Sequence, residues 1–82
     1  MKRIAIIAII ITDRSAAEPI NALLHEYGEH IMGRMGLPSR ERGMSLISVA
    51  MDAPQDVISA LAGKLGRLPG VSSKTVYAPE NN

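Results

Sequence analysis

The chain has no cysteine, no phenylalanine and no tryptophan. Without thiols there is no disulfide, no thiolate chemistry and no Cys-ligated zinc or iron–sulfur cluster. Without the two largest apolar rings, Ile, Leu, Val, Met and Ala must fill the interior, with Tyr27 and Tyr77 as the only large rings. Neither sign of charge dominates. Nine Lys and Arg against eight Asp and Glu leave a net charge of +1, which argues against a direct nucleic-acid partner. No apolar run is long enough for a bilayer either. The longest, Ile4 to Ile11, has eight residues where a spanning helix needs about 20. The expectation is a cytoplasmic protein without a membrane partner. Its 82 residues make one domain. A domain of that size buries only about 60–65% of its unfolded surface. Aliphatic burial at roughly 25 cal/mol per Å² then leaves a lone copy marginal.

What the chain does have is the run Ile4-Ala5-Ile6-Ile7-Ala8-Ile9-Ile10-Ile11. Isoleucine is stiff at its branched Cβ and suits a pleated strand. Odd and even positions are both apolar, so both faces of that strand need cover. In so small a chain one set of helices covers one face, and a second copy is expected on the other. The protein is thus read as a homo-oligomer, a dimer or a tetramer. A rival reading is a signal peptide, with Lys2-Arg3 before the run and Ser15-Ala16-Ala17 as a cleavage region. Asp13 and Arg14 oppose it, and cleavage would remove the most apolar strand. The run is read as a central strand.

Further along, Ser15-Ala16-Ala17-Glu18 has the pattern of a capping box, with Pro19 in the first turn of the helix that follows. Ile20, Leu23, Leu24 and Tyr27 keep helical spacing, and Gly28 is expected as a left-handed stop. A weaker strand is predicted from His30 to Gly36, then a polar connection from Leu37 to Gly43, then a strong strand from Met44 to Met51. Asp52-Ala53-Pro54-Gln55 reads as a second cap, with Pro54 inside the first turn. Val57, Ile58, Leu61, Leu65 and Leu68 form the inward stripe of a second helix, and Val71 to Tyr77 is a last strand. The order β-α-β-β-α-β defines an α+β, ferredoxin-like domain over residues 1–77. It has a four-stranded antiparallel sheet, two helices on one face, and the first and third strands central. Residues 78–82 are expected to fray.

Candidate chemistry is sparse. His25, Glu26, Glu29 and His30 offer a weak transition-metal set, although a solvated helix end looks the same. Gly33-Arg34-Met35-Gly36 and Gly63-Lys64-Leu65-Gly66 lack the flanking elements of an RNA clamp or a phosphate loop. Arg34, Arg40, Arg42 and Arg67 can gather into a basic patch, or simply solvate a face. No Ser, His and carboxylate set has spacing for nucleophilic catalysis. The expectation is a protein that is not an enzyme and carries no cofactor.

The strings Asp13-Arg14-Ser15, His25-Glu26-Tyr27-Gly28 and Gly33-Arg34-Met35-Gly36-Leu37-Pro38 resemble a small bacterial family, the iron-only hydrogenase system regulators. The stretch from Ile58 to Val71 continues the likeness. Leu65-Gly66-Arg67-Leu68-Pro69-Gly70-Val71 also resembles ACT domains and the C-terminal domain of the nickel-responsive repressor. The resemblance implies an ACT-like fold that assembles through its sheets, and a regulatory role linked to the iron-only hydrogenase. The nickel repressor's histidine-and-cysteine metal site and its DNA-binding domain have no counterpart in these residues. A partner protein is therefore expected to carry the output. In ACT-like domains ligands lie near the loop after the first strand. That points to Asp13, Arg14 and Ser15, with Asn21 on the helix and Arg34 reaching in from a partner's strand. The expected function is a small-molecule-sensing regulatory module. The alternative is a ligand-free assembly protein docking on a hydrogenase maturation protein.

Overall fold

The computed structural model describes residues 1–79. Strand β1 (Lys2–Ile11) alternates between exposed and buried positions from Ile4 onward. Ala5, Ile7, Ile9 and Ile11 point into the core, and Ile4, Ile6, Ala8 and Ile10 point away from it. Next come helix α1 (Ala17–Glu26), strands β2 (Ile31–Ser39) and β3 (Met44–Pro54), helix α2 (Gln55–Gly66) and strand β4 (Val71–Tyr77). The sheet is antiparallel throughout in the order β2-β3-β1-β4, so β1 and β3 are its central pair, as their composition predicts. One layer of side chains forms the core. Ile7, Ile9, Val49 and Met51 from the sheet meet Ile20, Leu24, Ile58, Leu61 and Leu65 from the helices, all of them buried.

Several boundaries differ from the sequence expectation, each for a local reason. Ser15 is not the helix cap. Asp13 Oδ1 accepts the Ser15 N–H at 3.0 Å and the Ser15 hydroxyl at 2.7 Å, opening a short 3₁₀ turn (Arg14–Ala16) ahead of α1. The loop brings both Ser15 donors to the Asp13 carboxylate, so Asp13 takes the capping role and the Ser15 hydroxyl is occupied as a donor. Pro19 still falls in the first turn of α1, where its missing N–H is not needed. Gly28 does not adopt a left-handed conformation; it begins a 3₁₀ turn (Gly28–His30) in which His30 donates its N–H to the Tyr27 carbonyl at 2.9 Å. The hairpin strands are longer than predicted. β2 continues through Pro38, which an edge strand tolerates because one side of it has no ladder to complete. In β3, Asp52-Ala53-Pro54 stay paired with Ile4, Arg3 and Lys2 instead of capping α2. Pro54 therefore precedes the helix rather than lying in it. Past β4, Ala78 donates its N–H to the Ile4 carbonyl at 2.9 Å, so the pairing runs beyond Tyr77. The fraying expected for 80–82 lies outside the described residues.

Two glycines have positive φ, Gly43 at +66° and Gly70 at +73°. Gly43 turns the β2–β3 hairpin in open space, whereas a Cβ on Gly70 would run into the side chain and backbone of Asp13. The Gly70 carbonyl also accepts the Thr12 N–H at 2.8 Å. Gly70→Ala should therefore destabilise the fold by about 3 kcal/mol or more, combining left-handed strain with overpacking, and Gly43→Ala by only about 1 kcal/mol. Chemical denaturation of the two variants checks this. Equal losses would mean that the Gly70–Asp13 contact does not hold the end of the sheet.

Candidate functional site

The five residues singled out as a ligand site separate into two places. Asp13 and Ser15 are occupied with each other. The Ser15 hydroxyl, and after it the Ser15 amide, hold the Asp13 carboxyl below the usual carboxylate range. Arg14, in the same loop, is turned toward the tip of the β2–β3 hairpin. There it lines a cleft of about 200 Å³ with Ile11, Pro38, Ser39, Arg40 and Ser45. The basic patch imagined for Arg34, Arg40, Arg42 and Arg67 is not assembled as such. Arg40 shares its cleft with Arg14, and Arg34 is held by Asn21.

Asn21 and Arg34 meet within a single chain. Arg34 Nη2 donates to Asn21 Oδ1 at 3.1 Å. The expected reach of Arg34 from a partner's strand is not needed for the two to be together. They sit in a groove of about 400 Å³ between α1 and β2, with His25 beside them and Leu24, Gly28 and Ile31 around the rest of it. Asn21 and His25 are one helical turn apart and so share a face of α1. The β2 side of the groove depends on a bulge. Ile31 pairs with Met51 and Arg34 with Val49, three positions apart on β2 against two on β3, with the register shift between Ile31 and Gly33. In a regular strand residues 31 and 34 would lie on opposite faces. The extra residue, Met32, brings both to the helix side. Gly28, the first residue of the 3₁₀ turn, also lines the groove.

The chemistry available there is that of a donor cluster on an apolar floor. Among the described residues no carboxylate pairs with Arg34, whose remaining N–H groups suit a planar carboxylate or another oxyanion. The Asn21 amide nitrogen is a further donor. His30 does not join His25 but lies against Glu29, 3.7 Å away. Among the described residues no three His, Asp or Glu side chains gather as a metal site. Ile31 and Gly28 were missed as site residues because a bulge beside a 3₁₀ turn has no periodicity to read. The only hint is that Gly33 interrupts an otherwise alternating strand.

The other face of the sheet is uncovered. Ile6 is 47% exposed where its neighbour Ile7 is 0%. Ile4, Ile10, Met35, Leu37, Leu46 and Val76 are exposed as well, and the strand register places them with Ile6 on one face. Ala8, Ile10, Met35, Leu37 and Leu46 line a shallow apolar depression of about 280 Å³ on it.

A four-stranded antiparallel sheet with two helices on one face, in the order β-α-β-β-α-β, defines the class: a small α+β domain of ferredoxin-like fold. Within that class the chain belongs to the family described as TM1266-like, iron-only hydrogenase system regulator (a proposed role), whose model matches residues 3–75. The solved structure of TM1266 from Thermotoga maritima is 39% identical, covers 96% of this chain and 100% of its own, and superposes with a TM-score of 0.92. More distant structures share the fold alone. A formyltetrahydrofolate deformylase from Pseudomonas putida KT2440 is 17% identical with a TM-score of 0.65, over 93% of this chain and 29% of that one. CPII, a nitrogen regulatory PII-like protein from Thiomonas intermedia K12 solved with ADP, AMP and bicarbonate, is 14% identical with a TM-score of 0.52. It aligns over 98% of this chain and 96% of its own. No curated protein matches the chain.

Asp13 gives a pH test of the loop. A carboxyl whose pKa is lowered by folding contributes stability that is fully present above its unfolded pKa and is lost as pH falls through the folded value. The stability gap between wild type and Asp13→Ala, measured by urea denaturation, should be constant near neutrality and close as pH drops below the unperturbed 3.8. A gap unchanged down to the acid limit would show that the Ser15 contacts do not depend on the charge.

Proposed function

We propose that this protein is a non-enzymatic regulatory module of the iron-only hydrogenase system. It senses a small carboxylate-bearing molecule in the groove between α1 and β2 and acts through a partner protein. The observation that carries this reading is the Arg34–Asn21 pair. A guanidinium is oriented by a neutral amide, lacks a carboxylate partner among the described residues, and shares its groove with Leu24 and Ile31. A surface arginine with no other task gains little from being held that way. A ligand carboxylate would take the free edge of the fork while its apolar body covers the floor. The family's named role supports the regulatory part.

A thermal-shift series with amino acids and short carboxylic acids tests it. A ligand at 100 times its Kd should add about 2.7 kcal/mol of stability. Arg34→Ala should abolish the shift and Asn21→Ala should weaken it. If no carboxylate stabilises the wild type, the sensing reading fails. The alternative, a ligand-free assembly protein docking on a partner, then stands.

We also propose that two copies join through their open sheet faces. Seven exposed large apolar side chains are more than a lone small domain ordinarily leaves in water. Asp52 and Lys74 lie on the same face with opposite charges, which is compatible with a two-fold pairing of identical surfaces. Ile6→Asp should leave a folded monomer, whereas Ile7→Asp should fail to fold because it buries an unpaired charge. Sedimentation equilibrium with circular dichroism distinguishes the two. A wild-type monomer at micromolar concentration would overturn the pairing.

A further inference from the structure

The cleft at the hairpin end is not used by the groove reading. We propose that it is a separate ligand site, built for a compact dianion of the phosphate class. Its two cations come from distant parts of the chain, Arg14 from the connection after β1 and Arg40 from the hairpin tip, and both line one cavity of about 200 Å³. No carboxylate lines it. Among the described residues neither arginine has an ion-pair partner. The acid adjacent to Arg14, Asp13, is turned back onto Ser15, and Glu41 lies outside the cavity wall. Two guanidinium groups brought to one cavity repel unless an anion lies between them. A dianion reverses that repulsion and can meet both forks with paired N–H···O bonds.

Ser39 and Ser45 add hydroxyl donors, and Ile11, Pro38 and Met44 supply apolar wall that keeps part of the water away from the charges. The tip is also set in place by the backbone. Gly43 turns with positive φ and donates its N–H to the Arg40 carbonyl at 3.3 Å. Size selects the class of ligand. Cavities for drug-sized molecules run to about 300–1,000 Å³. This one holds a tetrahedral oxyanion and a few waters at about 30 Å³ each. A free phosphate fits entirely inside, and the phosphoryl end of a larger molecule fits with its remainder in solvent.

The test is calorimetric titration of the full chain, at constant ionic strength, with inorganic phosphate and with glycerol phosphate. The tighter of the two shows whether the free ion or a phosphomonoester is the better occupant. Arg14→Ala and Arg40→Ala should each weaken binding at least tenfold without lowering the melting temperature, since both side chains are exposed. Arg34→Ala, in the α1–β2 groove, should leave phosphate binding unchanged, so the two sites succeed or fail independently. Arg42→Ala on the same hairpin is the charge control. Equal weakening by Arg42→Ala would reduce the effect to diffuse surface charge and overturn the site. So would loss in only one of the two cleft variants, or no binding of either probe to the wild type.

Discussion

Everything in this fold hangs on β1, a central strand that is apolar on both faces. Its odd residues are sealed beneath the helices and its even residues form the middle of the open face. Such a strand drives burial strongly but specifies its register weakly. A slip of one residue would exchange Ile for Ile or Ala on both sides, so the hydrophobic pattern alone does not choose between registers. The choice falls to contacts at the strand ends. Thr12 donates its N–H to the Gly70 carbonyl, Gly70 closes on Asp13, and Ala78 pairs with Ile4. Beside Ile4, at the start of the strand, Arg3 donates to Gln55 Oε1 at 3.1 Å and lies over the Tyr77 ring, 4.4 Å from its centroid. Polar and steric details at the margins fix what the core leaves open.

The helix layer is shorter than the sheet it covers, and both candidate sites lie where that cover ends. On β2 the residues facing the helices are Ile31, Arg34, Gly36 and Pro38, a series that is apolar next to α1 and then polar or small beyond it. Arg34 sits at the edge of the cover and reaches Asn21. Past it, Pro38 and Ser45 have no helix above them and face Arg14 across the cleft. The same hairpin turns Met35, Leu37 and Leu46 to the opposite side. One pair of strands thereby supplies both sites and part of the open face, and alternation alone keeps the two sets apart.

Sequence reading went far for the core and short for the sites. The isoleucine run, the helical spacing of Ile20, Leu24, Ile58, Leu61 and Leu65, and the element order were all legible, because periodic burial repeats over many residues and tolerates local error. The caps were less so. Asp13 and Ser15 are both good caps, and only the geometry of the loop selects the carboxylate. A glycine after a helical stretch predicts a left-handed stop at Gly28. The chain instead turned through a 3₁₀ segment, which needs no positive φ.

By itself the sequence determined the fold class, the central pair of strands and the two-faced character of β1, since these follow from which residues must leave water and at what period. Asp13, Arg14, Ser15, Asn21 and Arg34 come forward as site candidates only through the resemblance to ACT-like domains. Which of them meet is set by the pairing of distant segments. The Met32 bulge turns Ile31 and Arg34 to the same side and delivers Arg34 to Asn21. The long β2–β3 hairpin carries Arg40 to Arg14. Both outcomes depend on strand register and hairpin length, quantities that no local pattern encodes because they are set by pairing between segments far apart in the chain.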